Sequence, residues 1–260
     1  MADLSLFDLT DRVAIVTGGG NGISKAIALG YARAGAHVCV IDKIPGRAEG
    51  TAALIGELGR ETVHGTGHVG YREVADEFVD RVMEKFGRVD ILVNGAGGMR
   101  TDDGLYYERA IEELSEEELD DVIRNNLKSA FFMCRAAGVS MKDRGKGSII
   151  NISSEDGSHP VPNRIPYGLS KAGVTNFTKS LAAEWASHGI RVNEIWPMAV
   201  TRPQEARYTD PDSVDRLLSA SMMKRFGTPE DHVGVAIFLA SDAGAWATGS
   251  TYVCNGGRLR

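Results

Sequence analysis

Short apolar runs alternate with amphipathic stretches along the chain, and this alternation predicts its architecture. Val13-Ala-Ile-Val16 is an unbroken apolar run, the pattern of a strand buried on both faces. His37-Val-Cys-Val-Ile41, Ile91-Leu-Val93, Ser148-Ile-Ile-Asn-Ile152, Ile190-Arg-Val-Asn-Glu-Ile195 and Thr251-Tyr-Val-Cys254 read as further strands, with a poorer one over 63–69. Helices are predicted between them over 22–34, 45–58, 71–86 and 167–188. Val74, Phe78, Val82 and Phe86 mark the buried face of the third helix, while Gly46, Gly50 and Gly56 weaken the second. Ser115 with Glu118 three residues on is a capping-box pattern. The acidic run over 112–121 is therefore a solvated helix start, favoured by the helix dipole. That helix is expected to continue through Asn126 and Phe131-Phe132 to Met141, and Thr228-Pro229 opens a last one. Strands alternating with helices of this length imply right-handed βαβ units. The predicted fold is α/β, a doubly wound parallel sheet with helices on both faces, in a single domain over 1–260.

Composition narrows the functions available to such a fold. The chain has 260 residues, 43% hydrophobic and 25% charged, with a formal net charge of −6. An acidic balance argues against nucleic acid or an anionic membrane surface as partner. No run of about 18 apolar residues occurs, so no membrane span is expected. The first twenty residues lack a basic stretch followed by an apolar one, so no secretory signal is expected. Cys39, Cys134 and Cys254 are far apart, lie in apolar surroundings and lack ligand-like spacing. They read as inert buried thiols with no metal site, and the expected compartment is the cytoplasm.

Two groups of residues carry candidate chemistry. Gly18-Gly-Gly-Asn-Gly22 follows a strand and opens a helix, the context a phosphate-binding turn requires. Glycines let the backbone approach a pyrophosphate, and the helix N-terminus offers N–H groups and positive potential. Asp42 ends the second strand about twenty residues past Gly22, where a carboxylate can bind both ribose hydroxyls and repel a 2′-phosphate. The second group is Ser154, Tyr167 and Lys171. On a helix Tyr167 and Lys171 stand one turn apart on one face. A phenol titrates near pH 10 in isolation; an adjacent ammonium lowers that value, and a serine hydroxyl could orient the oxygen whose proton moves.

Thr17-Gly-Gly-Gly-Asn-Gly-Ile23, Asn94-Gly-Ala-Gly97, Asn126, Ser154, Tyr167 and Lys171 fall in an order and spacing that resembles the short-chain dehydrogenase/reductase family. The resemblance runs from about residue 10 to Gly257 and implies one Rossmann-type domain that binds NAD or NADP. It implies Tyr167 as acid/base, Ser154 as the oxygen-orienting residue, Lys171 as the group that lowers the tyrosine pKa, and Asn126 as anchor of a proton-relay water. It further implies a dinucleotide held by Gly18, Asn21, Gly22, Ile23, Asp42, Val69, Asn94, Ala96, Gly97, Tyr167, Lys171, Pro197 and Val200. With Asp42 present, NAD is expected in preference to NADP. The Tyr-to-Lys spacing separates the chain from the family's enoyl reductases, whose Tyr and Lys lie farther apart. Ser24 stands where a third glycine is usual, His68 precedes Val69 where an Asp is common, and Pro197-Met198 replaces Pro-Gly with the following threonine displaced to Thr201.

The substrate is expected to be a small molecule, met by two stretches outside the sheet, 98–114 and 198–227. Met99, Tyr106, Tyr107 and Met198 in these stretches, with Val161 and Trp196 outside them, mix with Arg100, Asp102, Asp103 and Arg202, and with Glu155, Asp156, His159 and Arg164 between Ser154 and Tyr167. Such charges suit a compact polar alcohol (polyol, sugar derivative or hydroxy acid) better than a steroid or long acyl chain. The expected reaction interconverts a secondary alcohol and a ketone. Reduction of an apolar or 3-oxoacyl ketone, or idle dinucleotide binding, are the alternatives. Relatives of this kind pair through the helices carrying Asn126 and Tyr167. Ala130-Phe-Phe-Met-Cys134 is apolar over more than one helical face, so a homotetramer or homodimer is expected.

Overall fold

A computed structural model of the chain describes residues 4–99, 108–201 and 209–258. Seven strands, β1 (Val13–Thr17), β2 (His37–Asp42), β3 (His64–Thr66), β4 (Ile91–Asn94), β5 (Gly147–Ile152), β6 (Ile190–Pro197) and β7 (Thr251–Cys254), form one sheet in the order β3-β2-β1-β4-β5-β6-β7. Every pairing is parallel. The apolar runs explain the central strands: β1 and β4 are buried throughout, as parallel strands covered on both faces must be. β3 is shorter than the run over 63–69 predicts. It pairs only with β2, after which the chain turns, with the Gly70 N–H donating to His68 Nδ1 at 3.0 Å.

Helices α1 (Gly22–Arg33) and α2 (Arg47–Glu57) cover one face together with the late helix α8 (Val233–Ala240). Helices α3 (Arg72–Phe86), α5 (Ser129–Arg144) and α6 (Ile165–Trp185) cover the other. Tyr31, Ile27 and Leu239 fill the first layer, and Phe78, Met133, Met141 and Trp185 the second. Each large apolar side chain buried this way contributes about 1.5–3 kcal/mol. A short helix, α7 (Pro211–Ser219), stands outside the sheet.

Two helices depart from the sequence-based expectation. The helix capped by Ser115 forms its capping box with Glu118, yet α4 (Glu116–Ile123) passes into a π-turn over Arg124–Lys128 before α5 begins. A π-turn inserts one residue into the helical register and gives no hydrophobic signal of its own. The helix expected from Thr228-Pro229 begins as a 3₁₀ turn, Pro229–His232, and becomes α-helical only at Val233. Cys39 and Cys134 are buried, and burial pushes both thiols up to about 12. Cys254 is half-buried. Among the described residues no cluster of acidic, His and Cys side chains could hold a metal, and no helix is long and apolar enough to cross a membrane.

Candidate active site

The strand order reverses direction between β1 and β4, and the carboxyl ends of these strands open a crevice, the place where ligands bind in open α/β sheets. Thr17 Oγ1 ties the two sides together, accepting from Gly95 N at 3.1 Å and Ala96 N at 3.0 Å. A cleft of about 520 Å³ lies there, lined by Gly18, Asn21, Gly22, Ile23, Asp42, Val69, Ala96, Gly97, Ser154, Tyr167, Lys171 and Pro197. Twelve residues predicted from the sequence are thus brought together.

One end of the cleft is the glycine-rich turn. Gly18 has φ +62°, and a Cβ there would lie 2.9 Å from Ala96 Cα, so only glycine allows the two loops to approach so closely. No side chain caps the N-terminus of α1 at Asn21, which leaves its N–H groups directed at the cleft. Asp42 is buried at the end of β2, its Oδ2 accepting from Gly20 N at 3.1 Å and Oδ1 from Ile44 N at 2.9 Å. A close-approach turn, an uncapped helix N-terminus and an acid at the second strand end fit a dinucleotide. Ser24 is accommodated in place of glycine because residue 95 has no side chain. A Cβ on Gly95 would meet Ser24 Oγ at 2.1 Å.

At the other end, α6 carries Tyr167 and Lys171 on one face, with Lys171 Nζ 5.6 Å from the tyrosine ring centre. Lys171 is only 5% exposed, and its ammonium donates to Ile152 O at 2.8 Å. Burial pushes its pKa down to about 8, against the upward pull of Glu194 and Asp156. Glu194 is buried beneath it, accepting from Thr175 Oγ1 at 2.9 Å and Thr251 Oγ1 at 2.6 Å. Ser154 lies two residues past β5 in extended conformation, its Oγ accepting from Asp156 N at 3.2 Å.

Three predicted residues stand outside the cleft lining. Asn94 turns its amide away, donating to Asn151 Oδ1 at 2.8 Å and Cys134 Sγ at 3.2 Å. Both amide hydrogens of buried Asn126 are engaged, with Gly98 O and Val122 O at 2.9 Å, and its Oδ1 accepts from Gly98 N at 2.9 Å. The Asn126 side chain therefore fixes the Gly97–Gly98 loop beside Lys171. Val200 lines a neighbouring pocket instead, its N–H bonded to Gly227 O at 2.9 Å. Met198, where glycine is usual, is held by its own N–H, which reaches Cys254 O at 3.0 Å and His232 Nε2 at 3.2 Å.

Of the substrate residues read from the sequence, Met99, Glu155, Asp156, Arg164 and Met198 line the cleft. Val161, His159 and Trp196 do not; the His159 ring stands edge-on to Trp196. Arg100, Asp102, Asp103, Tyr106, Tyr107 and Arg202 lie outside the described residues. Thr201, singled out from the sequence as the displaced threonine, lines the cleft, whereas sequence reasoning missed Asn125 and Arg258. Asn125 adjoins Asn126, whose motif could have pointed to it, whereas Arg258 reaches the cleft from the chain's far end with no local pattern to reveal it.

A family model described as enoyl-(acyl carrier protein) reductase matches residues 18–258. D-threitol dehydrogenase of Mycolicibacterium smegmatis is 37% identical over 257 residues, covering 96% of this chain and 94% of that protein. The 2-dehydro-3-deoxy-D-gluconate 5-dehydrogenase of Escherichia coli is 37% identical, covering 98% of each chain. A gluconate 5-dehydrogenase from Burkholderia cenocepacia, solved with NADP and tartrate, superposes with a TM-score of 0.89 at 31% identity, covering 98% of this chain and 97% of that one. Motif order, sheet topology and near-full-length similarity agree: the chain belongs to the short-chain dehydrogenase/reductase family.

Proposed function

We propose that the chain is a cytoplasmic NAD-dependent dehydrogenase that interconverts a secondary alcohol and a ketone on a compact polyol or sugar derivative. The observation that carries this reading is a single cleft in which Ser154, Tyr167 and Lys171 stand beside the charged groups Glu155, Asp156, Arg164 and Arg258. The dinucleotide, when bound, supplies a hydride acceptor, so that R₂CHOH and NAD⁺ give R₂C=O, NADH and H⁺. Gly18, Asn21, Gly22, Ile23 and Asp42 would hold it at the β1 end, with Val69, Ala96, Gly97, Lys171 and Pro197 along the cleft. Tyr167 takes the hydroxyl proton as general base and returns it in the reverse direction. Ser154 orients the substrate oxygen by a hydrogen bond. Lys171, while charged, favours the phenolate form of Tyr167, and Asn126 keeps the Gly97–Gly98 loop in register beside it.

The names of the similar proteins support the substrate class: threitol and dehydrodeoxygluconate are small, polyhydroxylated molecules. A second reading rests on the pocket adjoining the cleft, about 240 Å³, with Met198, Leu217, Met223 and Phe226 in its wall. Such a wall could seat an apolar chain, and the matching family model is described by an acyl-carrier substrate. The deciding experiment is a substrate panel of tetritols to hexitols against steroids, fatty alcohols and a 3-oxoacyl thioester, each with NAD(H) and NADP(H). Polyols are expected to give the highest kcat/KM, and a higher value for the apolar set overturns the reading. Asp42 should make NAD the better cofactor, because its buried carboxylate repels a 2′-phosphate. Lys43 next to it lines the cleft as well, and a clear NADP preference would show that Lys43 outweighs Asp42.

A further inference from the structure

Glu155 follows Ser154 in a 3₁₀ turn, and both line the cleft. Its side chain is 11% exposed, with Oε1 at 3.2 Å from Arg258 Nη1 and Oε2 accepting from Asn255 Nδ2 at 3.2 Å. The tail that brings these partners is folded by its own hydrogen bonds. Asn255 Oδ1 accepts from Gly257 N at 3.0 Å and Arg258 N at 3.2 Å. Met222 N and Met223 N bond Gly257 O and Gly256 O at 3.2 and 3.1 Å. A guanidinium is thus carried past the strand ends to a carboxylate beside Ser154.

An ion pair in a substrate cleft can read hydroxyl groups, since a hydroxyl donates to a carboxylate and accepts from a guanidinium. Arg258 has five N–H donors; among the described residues its guanidinium contacts, with Glu155 Oε1 and with Met198 Sδ at 3.5 Å, both use Nη1. A second arginine at this end, Arg164, is likewise matched by acids, with Asp156 at 3.4 Å and Glu108 at 2.5 Å. A substrate carboxylate would share these arginines with Glu155, Asp156 and Glu108, whose like charges oppose it, whereas a hydroxyl can bond to both signs.

We propose that Glu155 and Arg258 form a hydroxyl-reading pair that selects a neutral polyol by the hydroxyl next to its reacting carbon. The inference rests on the polyol dehydrogenase reading above. Its test compares kcat and KM with NAD for D-glucitol, D-gluconate and 2-hexanol on the wild type and on Glu155→Gln, Arg258→Met and Arg258→Lys. The preference for glucitol over 2-hexanol is expected to fall about tenfold or more in Glu155→Gln and Arg258→Met, through KM rather than kcat. Arg258→Lys, which keeps a cation, should retain more of it. An equal loss on both alcohols, or an unchanged preference, overturns the pair's assignment. Higher kcat/KM for gluconate than for glucitol overturns the neutral-substrate part. A wild type that turns over 2-hexanol better than any polyol instead refutes the polyol reading itself. Melting temperatures accompany each variant; should Glu155→Gln fail to fold, the two Arg258 variants, on the half-buried tail, give the same decision.

Discussion

At the scale of single residues, chemistry is assigned to Tyr167 and its electrostatics to Lys171. Tyr167→Phe keeps the ring and removes the proton carrier, so turnover should fall by about 10² or more. Dinucleotide binding, followed by fluorescence titration, should persist; near-wild-type turnover would refute the assignment. Lys171 makes a prediction about stability. Its folded pKa, about 8, lies below the ordinary value of 10.5. Between those limits the unfolded chain binds more protons than the folded one, so stability rises with pH across that window. The burial cost is fully present below pH 8 and gone above 10.5, about 3 kcal/mol in all. The groups facing Lys171 are Tyr167 on its own helix, Asp156 on the 3₁₀ turn and Glu194 on β6. A phenol in isolation titrates near pH 10, so the comparison is made without Tyr167, Tyr167→Phe against Tyr167→Phe/Lys171→Met. The stability advantage of the methionine variant in urea should shrink by that amount from pH 7.5 to 10.5. A constant difference would mean that Lys171 keeps an ordinary pKa.

At the scale of elements, the contact between α1 and the loop after β4 makes the sharpest test. Ser24 Oγ occupies the space that a side chain at residue 95 would need. Gly95→Ala should therefore cost about 1–3 kcal/mol. Ser24→Gly in the same chain should restore part of it, because the added methyl would still meet Thr17 O at 2.9 Å. A double-mutant cycle by chemical denaturation reads this coupling, and additive effects would show that the two residues do not compete. Much at this scale is legible in the sequence. Strands β1, β2 and β4 lie within a residue of the apolar runs that predict them, because burial on both faces forces continuous hydrophobicity. Ser115 and Glu118 announce the start of α4 for an equally local reason. The π-turn at Asn126 is not legible, since it carries no hydrophobic signal of its own, and the long-range bond from the Asn126 amide to Gly98 inside it leaves no local pattern either. Nor is the placing of Arg258, joined to Glu155 by a contact that spans over a hundred residues. The inward turn of Asn94 escapes too, because β4 is buried on both faces and either orientation suits its sequence.

At the scale of the whole molecule, the surface argues for assembly. Helices α5 and α6 bury one side against the sheet, yet keep apolar residues on their outer sides. Phe131 is 47% exposed, Val139 62% and Leu169 55%. Phe131 touches Phe177 across the two helices, ring centres 5.9 Å apart, so the exposed groups begin a shared patch rather than stand singly. A monomer gains nothing from such a patch, whereas a stable dimer needs about 1,200–2,000 Å² of buried surface. The net charge of −6 is too small to keep copies apart at physiological salt. Self-association through α5 and α6 would also brace the helix that carries Tyr167 and Lys171, tying assembly to the geometry of the cleft. Light scattering at micromolar concentration should return two or four times 27.9 kDa. Phe131→Asp should shift that mass downward, since a carboxylate buried unpaired at an interface is strongly unfavourable. A wild-type mass of 27.9 kDa would refute the assembly, and an unchanged oligomer in Phe131→Asp would move the interface to another face.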